Sequence, residues 1–322
     1  RHLPYPLRRQ RQMCIRDSIY TVCMPKTYVL IRCTEWSPRV QELVAGLKES
    51  LAGWTILAVP DCIELSDQET SDLLDGFGIP AYGITKRFVE ESGLHFAHSG
   101  ARTGWLCGDY VFYRVLDLDW DYAWIVEPDV YFLNGAEDLL KRLARLDHDL
   151  LSTHLWPSGG NWMWGKALLE VIPGVKPHAM AFPFSRVSKN LAQDGLEFRQ
   201  KIASQYQGQE RYPNDEVVLA TAAHLNDRST LDIRRLYEEV FEYWSTVTRV
   251  SIDDVSQESN RPLIAHSGQD REAFDRYLDS ALEGALAGSA QSSTQLVKSL
   301  ETASRQTLLD FIERSLLTIR PA

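Results

Sequence analysis

The sequence is short of cysteine, of basic residues and of long apolar runs, and each shortage removes a class of protein. Five cysteines in 322 residues, an odd number with no CxxC pair, supply neither a zinc-ligand spacing nor a disulfide framework. A reducing compartment, and hence a cytoplasmic protein, is the expectation. Lys and Arg number 34 against 44 Asp and Glu, a formal net charge of −10 that repels polyanions, so no nucleic-acid partner is expected. No apolar run approaches the ~20 residues that a membrane-spanning helix needs. What is present is ordinary for a folded enzyme: 44% hydrophobic, 10% aromatic and 24% charged residues, in a chain long enough to bury a large core.

The first 23 residues, with five arginines and no signal-peptide core, differ from the rest and read as a non-native or disordered leader, the fold starting at Met24. Thr27 to Cys33 reads as a buried strand, Ser37-Pro38 as a helix start with Val40, Leu43, Val44 and Leu47 at helical spacing, and Trp54 to Val59 as a second strand. Residues 64 to 100 read as a long loop. A helix over 104–116, a strand over 122–126, a helix over 136–146 and a strand over 150–154 follow. This alternation predicts a doubly wound α/β half over 24–155, whose ligands gather at the carboxyl ends of the strands. From 156 to 269 the reading is an acceptor-side half of the same domain, with helices near 188–206 and 214–225, strands near 233–240 and 246–252, and a short strand over 262–265. Residues 270–322 read as a helical C-terminal extension broken by the Gly/Ser/Ala stretch 284–293. Its Leu308, Leu309, Ile312 and Leu316 recur at helical spacing, a face for the domain or for a homodimer.

The sharpest chemical signal is Glu127-Pro128-Asp129, two carboxylates two residues apart directly after an apolar strand. Proline sets the turn, so both carboxylates can grip one cation at the sheet's ligand-binding edge. Hard oxygen donors select Mg²⁺ or Mn²⁺, which leave positions for substrate phosphates. A polar turn that caps the next helix is the plainer reading. Asp117, Asp119 and Asp121 alternate similarly but fall at the amino end of the strand.

The apolar strand followed by an acid-x-acid motif resembles the DxD site of GT-A glycosyltransferases, and Glu127-Pro128-Asp129-Val130 is similar to the Glu-Pro-x-Val variant of fungal α-mannosyltransferases. WLCGDYVFY before it and Pro213-Asn-Asp-Glu-Val217 after it are similar to GT-A-like families of bacteria and fungi. The resemblance, over roughly 26–270, implies a GT-A-like (Rossmann-like), mainly parallel sheet flanked by helices and a metal-dependent transfer of sugar from a UDP- or GDP-sugar donor to a glycan or other hydroxyl acceptor. It implies His266 as a third metal ligand, although a hydrogen-bonded loop histidine explains it equally well. It implies Asp215 or Glu216 as the base that deprotonates the acceptor, against a pure helix cap. Thr34 and Asp61 fall where such enzymes hold base and ribose. Arg102 and Asp109 flank the helix before the metal strand, with Arg102 suited to phosphate through paired hydrogen bonds or to a surface ion pair. Arg186 is expected in a loop beside the cleft. Trp156, Trp162 and Trp164 offer flat faces for sugars, or packing beneath a loop. A metal-dependent phosphoester or pyrophosphate hydrolase and a non-catalytic sugar-binding module stay open as alternatives.

Overall fold

The computed structural model describes residues 25–96, 103–157, 162–245 and 249–319. Segment 1–23 and Arg102 therefore lie outside the described residues. The chain opens as β1 (Thr27–Cys33), α1 (Pro38–Ser50) and β2 (Thr55–Cys62). Ser37 caps α1 through its hydroxyl, Pro38 occupies the first turn, and Val40, Leu43, Val44 and Leu47 form the buried stripe that the spacing predicts.

The supposed loop 64–100 instead contains α2 (Asp67–Asp75), β3 (Ile84–Thr85) and α3 (Lys86–Glu91). Helix α2 is launched by a reciprocal capping box between Ser66 and Glu69, and α3 by the Thr85 hydroxyl. The helix expected over 104–116 is two short ones, α4 (Thr103–Leu106) and α5 (Tyr110–Arg114), parted at Cys107-Gly108. Then come β4 (Tyr122–Val126), β5 (Val130–Leu133), α6 (Asp138–Leu143), β6 (Leu150–Pro157), α7 (Met163–Val171), β7 (His178–Ser188), α8 (Lys189–Gln205), α9 (Asp215–Leu225) and β8 (Thr230–Asp232). The strand expected near 233–240 is two 3-10 turns, Ile233–Arg235 and Glu238–Phe241. Strand β9 is only Val250–Ser251. After α10 (Ile252–Glu258), β10 (Leu263–His266) and β11 (Gly268–Gln269), the chain ends in α11 (Arg271–Leu286), α12 (Ala290–Leu300) and α13 (Arg305–Ile319).

The main sheet has seven strands in the order β3-β2-β1-β4-β7-β6-β8. All run parallel except β7, which is antiparallel to β4 and β6. This is the mainly parallel α/β sheet flanked by helices expected from the alternation of elements. Its central strands are buried on both faces: Tyr28, Leu30, Leu57, Val59 and Ile125 point into a core under α5, α7, α8 and α9, while Val29, Ile31, Ile56, Ala58 and Trp124 meet α1 and α6.

Strand β7 was not legible as a strand, because Pro183 interrupts it. The register of β7 against β6 shifts between Ser152 and Thr153, opposite Phe182-Pro183, so the missing proline N–H falls at an irregularity of the ladder. The Pro183 carbonyl accepts the Glu127 N–H at 3.1 Å, one rung past the last β4–β7 pair, Val126↔Phe184.

A second, two-stranded antiparallel sheet pairs β5 with β10 in the register Val130↔His266. The C-terminal helices gather a small core of their own around Phe274, Leu278, Leu296 and Phe311, leaving Leu309, Ile312 and Leu316 exposed. Among the described residues no helix is long and apolar enough to cross a membrane.

Candidate active site

The carboxyl ends of β1, β2 and β4 open into two adjoining cavities of about 300 and 370 Å³. The first is lined by Arg32, Thr34, Asp61, Gly108 and Glu127 among others, the second by Glu127, Asp129, Trp164, Asp215, Glu216 and His266 among others. Arg32 and Glu127 belong to both, so they stand where the two spaces meet.

Local geometry fixes the acid motif. Strand β4 ends at Val126, and the Glu127 carbonyl accepts the Val130 N–H at 3.0 Å, closing a turn with Pro128 at its second position. Arg39, on α1, clamps this turn: its Nε donates to the Pro128 carbonyl and its Nη2 to the Val130 carbonyl, both at 2.8 Å, and its guanidinium lies 3.6 Å from the Tyr131 ring centroid. Because β10 pairs with β5 at Val130↔His266, the histidine arrives beside Asp129 although 137 positions separate them in sequence (266 − 129).

Glu127, Asp129 and His266 bring one ligand atom each within 4.8 Å of one another. The buried His266 ring donates from Nδ1 to the Ser245 carbonyl and packs 5.0 Å from the Trp244 ring, which leaves Nε2 3.5 Å from Asp129 Oδ2. A backbone acceptor on one imidazole nitrogen is how metal-ligating histidines are oriented, and two carboxylates with one imidazole suit Mn²⁺ or Mg²⁺. The residues therefore fit the cation the sequence calls for. Two arginines now balance the same carboxylates. Arg32 Nη1 pairs with Glu127, and Arg249 Nη1 is 3.9 Å from Asp129 Oδ2.

Asp215 and Glu216 start α9, capped by Asn214, whose side-chain oxygen accepts the Val217 N–H. They differ sharply in their surroundings. Asp215 is buried, accepts the Gly108 N–H at 2.9 Å and the Glu216 N–H at 2.8 Å, and lies 3.8 Å from Arg32. Burial raises its pKa well above the usual carboxylate range, against the opposing pull of Arg32. Glu216, which Asn214 Nδ2 contacts at 3.1 Å, faces the cavity, and burial pushes it up to about 7 against the help of that hydrogen bond.

Other expected site residues fall as follows. Thr34 and Asp61 line the smaller cavity, and Trp164 lines the larger. Trp162 is half-buried against the core beneath α7 and lies 5.9 Å from the Trp156 ring, outside the residues lining either cavity. Asp109 is not at the cleft surface. It is fully buried in an ion pair with Arg199 of α8, whose Nε and Nη2 each donate to it at 2.7 Å. Arg186 is not in a loop beside the cleft either. It belongs to β7, and its guanidinium donates to the carbonyls of Leu143, Leu146 and His148 behind α6, satisfying backbone acceptors where that helix ends.

Three residues that sequence reasoning passed over belong to the site. Arg32 sits in β1 among apolar neighbours, an exception to strand patterning that marks a cation needing a carboxylate partner. Arg39 shows as a charge on an otherwise ordinary helix. Gly108 is the third: a Cβ there would lie 2.4 Å from Asp215 Oδ2 and 2.6 Å from both Arg32 Nη1 and Phe182 Cε1, so only glycine lets its backbone approach the buried carboxylate. Its signal was the Gly in WLCGDYVFY, within an otherwise apolar run. The three cysteines among the described residues are poor nucleophiles: burial pushes Cys33 and Cys107 up to about 12 and Cys62 up to about 11.

No family model and no curated protein sequence matches this chain. Among solved structures it is similar to the galactosyltransferase LgtC in complex with donor and acceptor sugar analogues, with a TM-score of 0.42 and 8% identity over 74% of this chain and 86% of that one. It is similar to glucosyl-3-phosphoglycerate synthase from Mycobacterium tuberculosis in complex with Mn²⁺, uridine diphosphate and phosphoglyceric acid, with a TM-score of 0.31 and 11% identity over 52% of this chain and 57% of that one. It is also similar to the inositol-1-phosphate CTP transferase from T. maritima, with a TM-score of 0.34 and 9% identity over 64% and 84%. These likenesses are distant, and the chemistry of the cleft is read from its own residues.

Proposed function

We propose that the protein is a glycosyltransferase that uses a divalent cation to move a sugar from a nucleotide-diphosphate donor to an acceptor hydroxyl. The observation that carries this reading is the convergence of Glu127, Asp129 and His266 in the larger cavity at the carboxyl edge of the sheet, with Glu127 shared by the smaller one. A two-part cleft with a cation site at its junction suits a reaction in which a donor diphosphate and an acceptor meet.

In this reading the smaller cavity takes the nucleoside, with Thr34 and Asp61 toward base and ribose. Glu127, Asp129 and His266 would hold Mn²⁺ or Mg²⁺, which when bound neutralises charge on the diphosphate leaving group. Arg32 adds a fixed positive charge at the same junction. Glu216 is the better candidate of the two carboxylates for the acceptor's proton: it faces the larger cavity and titrates near neutrality, whereas Asp215 is engaged by Gly108 and Arg32. Asp215 is the positioning partner that aligns α9 with the β1 edge. Trp164 gives the acceptor ring an apolar wall.

The test is binding and slow hydrolysis of UDP- and GDP-sugars with and without Mn²⁺, for the wild type and for Glu127→Ala and Asp129→Ala. The resemblance of Glu127-Pro-Asp-Val130 to fungal α-mannosyltransferases puts a mannosyl nucleotide first in the panel. Metal-dependent donor binding that both substitutions abolish supports the proposal. A folded wild type that binds no sugar nucleotide refutes it.

A further inference from the structure

A third cavity, of about 410 Å³, opens at the far end of α9. Its walls come from the end of β6 (Trp156), the start of β7 (His178), the last turn of α9 (His224) and the residues after it (Asp227, Arg228, Thr230). Trp156 is 40% exposed, unusual for an indole, and keeps one flank against the Trp162 ring at 5.9 Å. The imidazoles of His178 and His224 stack with centroids 3.9 Å apart and planes at 28°. Thr221 pins this pair by accepting the His178 N–H at 2.9 Å.

The chemistry of the walls selects the ligand. His178 Nδ1 faces the Lys176 carbonyl at 3.1 Å, so that nitrogen carries the proton and Nε2 offers a lone pair to a hydroxyl donor. Burial and the neighbouring His224 both hold His178 below the usual imidazole range, which favours its neutral form. Arg228 is matched by Asp194, its Nε donating to Oδ2 at 2.6 Å, and Asp227 adds negative charge. Among the described residues that line the cavity, the one arginine or lysine, Arg228, is therefore already paired with a carboxylate. Flat apolar rings with acceptors and hydroxyls at their edges suit instead a neutral polyhydroxylated ring, whose C–H face covers the aromatic plane while its hydroxyls reach the polar rim.

We propose that this cavity is a second carbohydrate site, which holds a neutral sugar unit of the acceptor at a distance from the transfer site. Glu216 and His224 lie eight residues apart on one helix (224 − 216), so the two sites are separated by about 12 Å along α9. The Trp156–Trp162 contact leads back toward Met163 and Trp164 on the wall of the larger catalytic cavity. A glycan reaching from one to the other would be read at both ends. The assignment to an acceptor rests on the proposed transfer reaction, whereas the affinity for sugar does not.

The experiment is titration of neutral gluco- and manno-trisaccharides, and of their sulfated counterparts, followed by saturation-transfer NMR and calorimetry. It uses the full chain as wild type, Trp156→Ala, Trp156→Phe, His224→Ala and Glu127→Ala. The expected result is binding of a neutral trisaccharide by the wild type and by Glu127→Ala, weakened at least tenfold by Trp156→Ala and His224→Ala and restored by Trp156→Phe. Equal binding by Trp156→Ala and wild type, preference for the sulfated sugars, or no binding of neutral sugar overturns the proposal, whatever the donor assay shows. Sugar binding that follows this pattern in a protein that binds no sugar nucleotide leaves the carbohydrate site standing and refutes only the transfer reading.

Discussion

The buried pair Asp109–Arg199 sets the positions of both halves of the cleft, and its removal offers a quantitative check on the fold's logic. Both side chains are completely hidden from solvent. Asp109 accepts from Arg199 Nε and Nη2 at 2.7 Å and from the Tyr113 hydroxyl at 2.8 Å, while Arg199 Nη1 donates to the Pro213 carbonyl at 2.6 Å. One end of this network touches Gly108, and the other touches the residue before Asn214-Asp215-Glu216. Asp109→Ala leaves a guanidinium in the core without its counterion, a loss of about 3–5 kcal/mol, which is a large part of the roughly 5–15 kcal/mol that holds a domain folded. At an unfolding entropy of about 2.1 cal/mol/K per residue, the melting temperature should fall by roughly 4–8 °C. Arg199→Met, which strands the carboxylate and frees the Pro213 carbonyl, should cost a similar amount. Replacing both together with Leu and Met removes the charges as a pair and should cost under about 2 kcal/mol, far less than the sum of the single changes. Urea unfolding of the three variants, compared at equal slope, measures the coupling. Loss of under about 1 kcal/mol in Asp109→Ala, or additivity in the double variant, would refute the claim that this ion pair is a buried tether between α5 and the start of α9.

The remaining predictions concern the cleft. Gly108→Ala should keep the fold but lose roughly 1–3 kcal/mol, because its methyl group must displace Asp215, Arg32 or Phe182; loss of metal or donor binding should accompany this, and unchanged binding would show that the contact is looser than the geometry requires. For Glu216 the folded pKa is raised from 4.5 to about 7, so the metal-free folded state holds a proton that the unfolded chain releases. Its stabilising contribution is present below about pH 4.5 and is lost as pH rises through 7. Glu216→Gln should therefore flatten the fall in stability across that window, and a transfer rate that rises with pH around 7 should lose that limb in the variant. His266→Ala and Asp129→Asn should each reduce the Mn²⁺-induced rise in melting temperature, and an undiminished rise in both would place the cation elsewhere. Arg39→Ala should weaken Mn²⁺ binding without touching a ligand, by freeing the Pro128–Val130 turn; it fails as a prediction if only global stability changes.

The local sequence determined a great deal here. Buried β-formers in Thr27–Cys33, Thr55–Cys62 and Tyr122–Val126, each followed by a turn, mark the parallel strands, and Ser37, Ser188 and Asn214 mark helix starts, because capping and short-range periodicity act over a few residues. Glu127 and Asp129 were legible as a strand-end pair for the same reason. Tertiary structure decided what depends on distant partners. Pro183 hid β7, since only the irregular register against β6 makes a proline tolerable there. Asp109 and Arg186 read as polar residues near a cleft, yet burial and long-range acceptors made them structural, through Arg199 in one case and the carbonyls after α6 in the other. His266 joined Asp129 only through the pairing of β10 with β5. Arg32 and Gly108 became site residues only once β1, α5 and α9 met. A sequence states which groups are available, but the free energy of burying a charge or seating an imidazole depends on partners brought together by the packed chain, and here those partners lie about a hundred residues away.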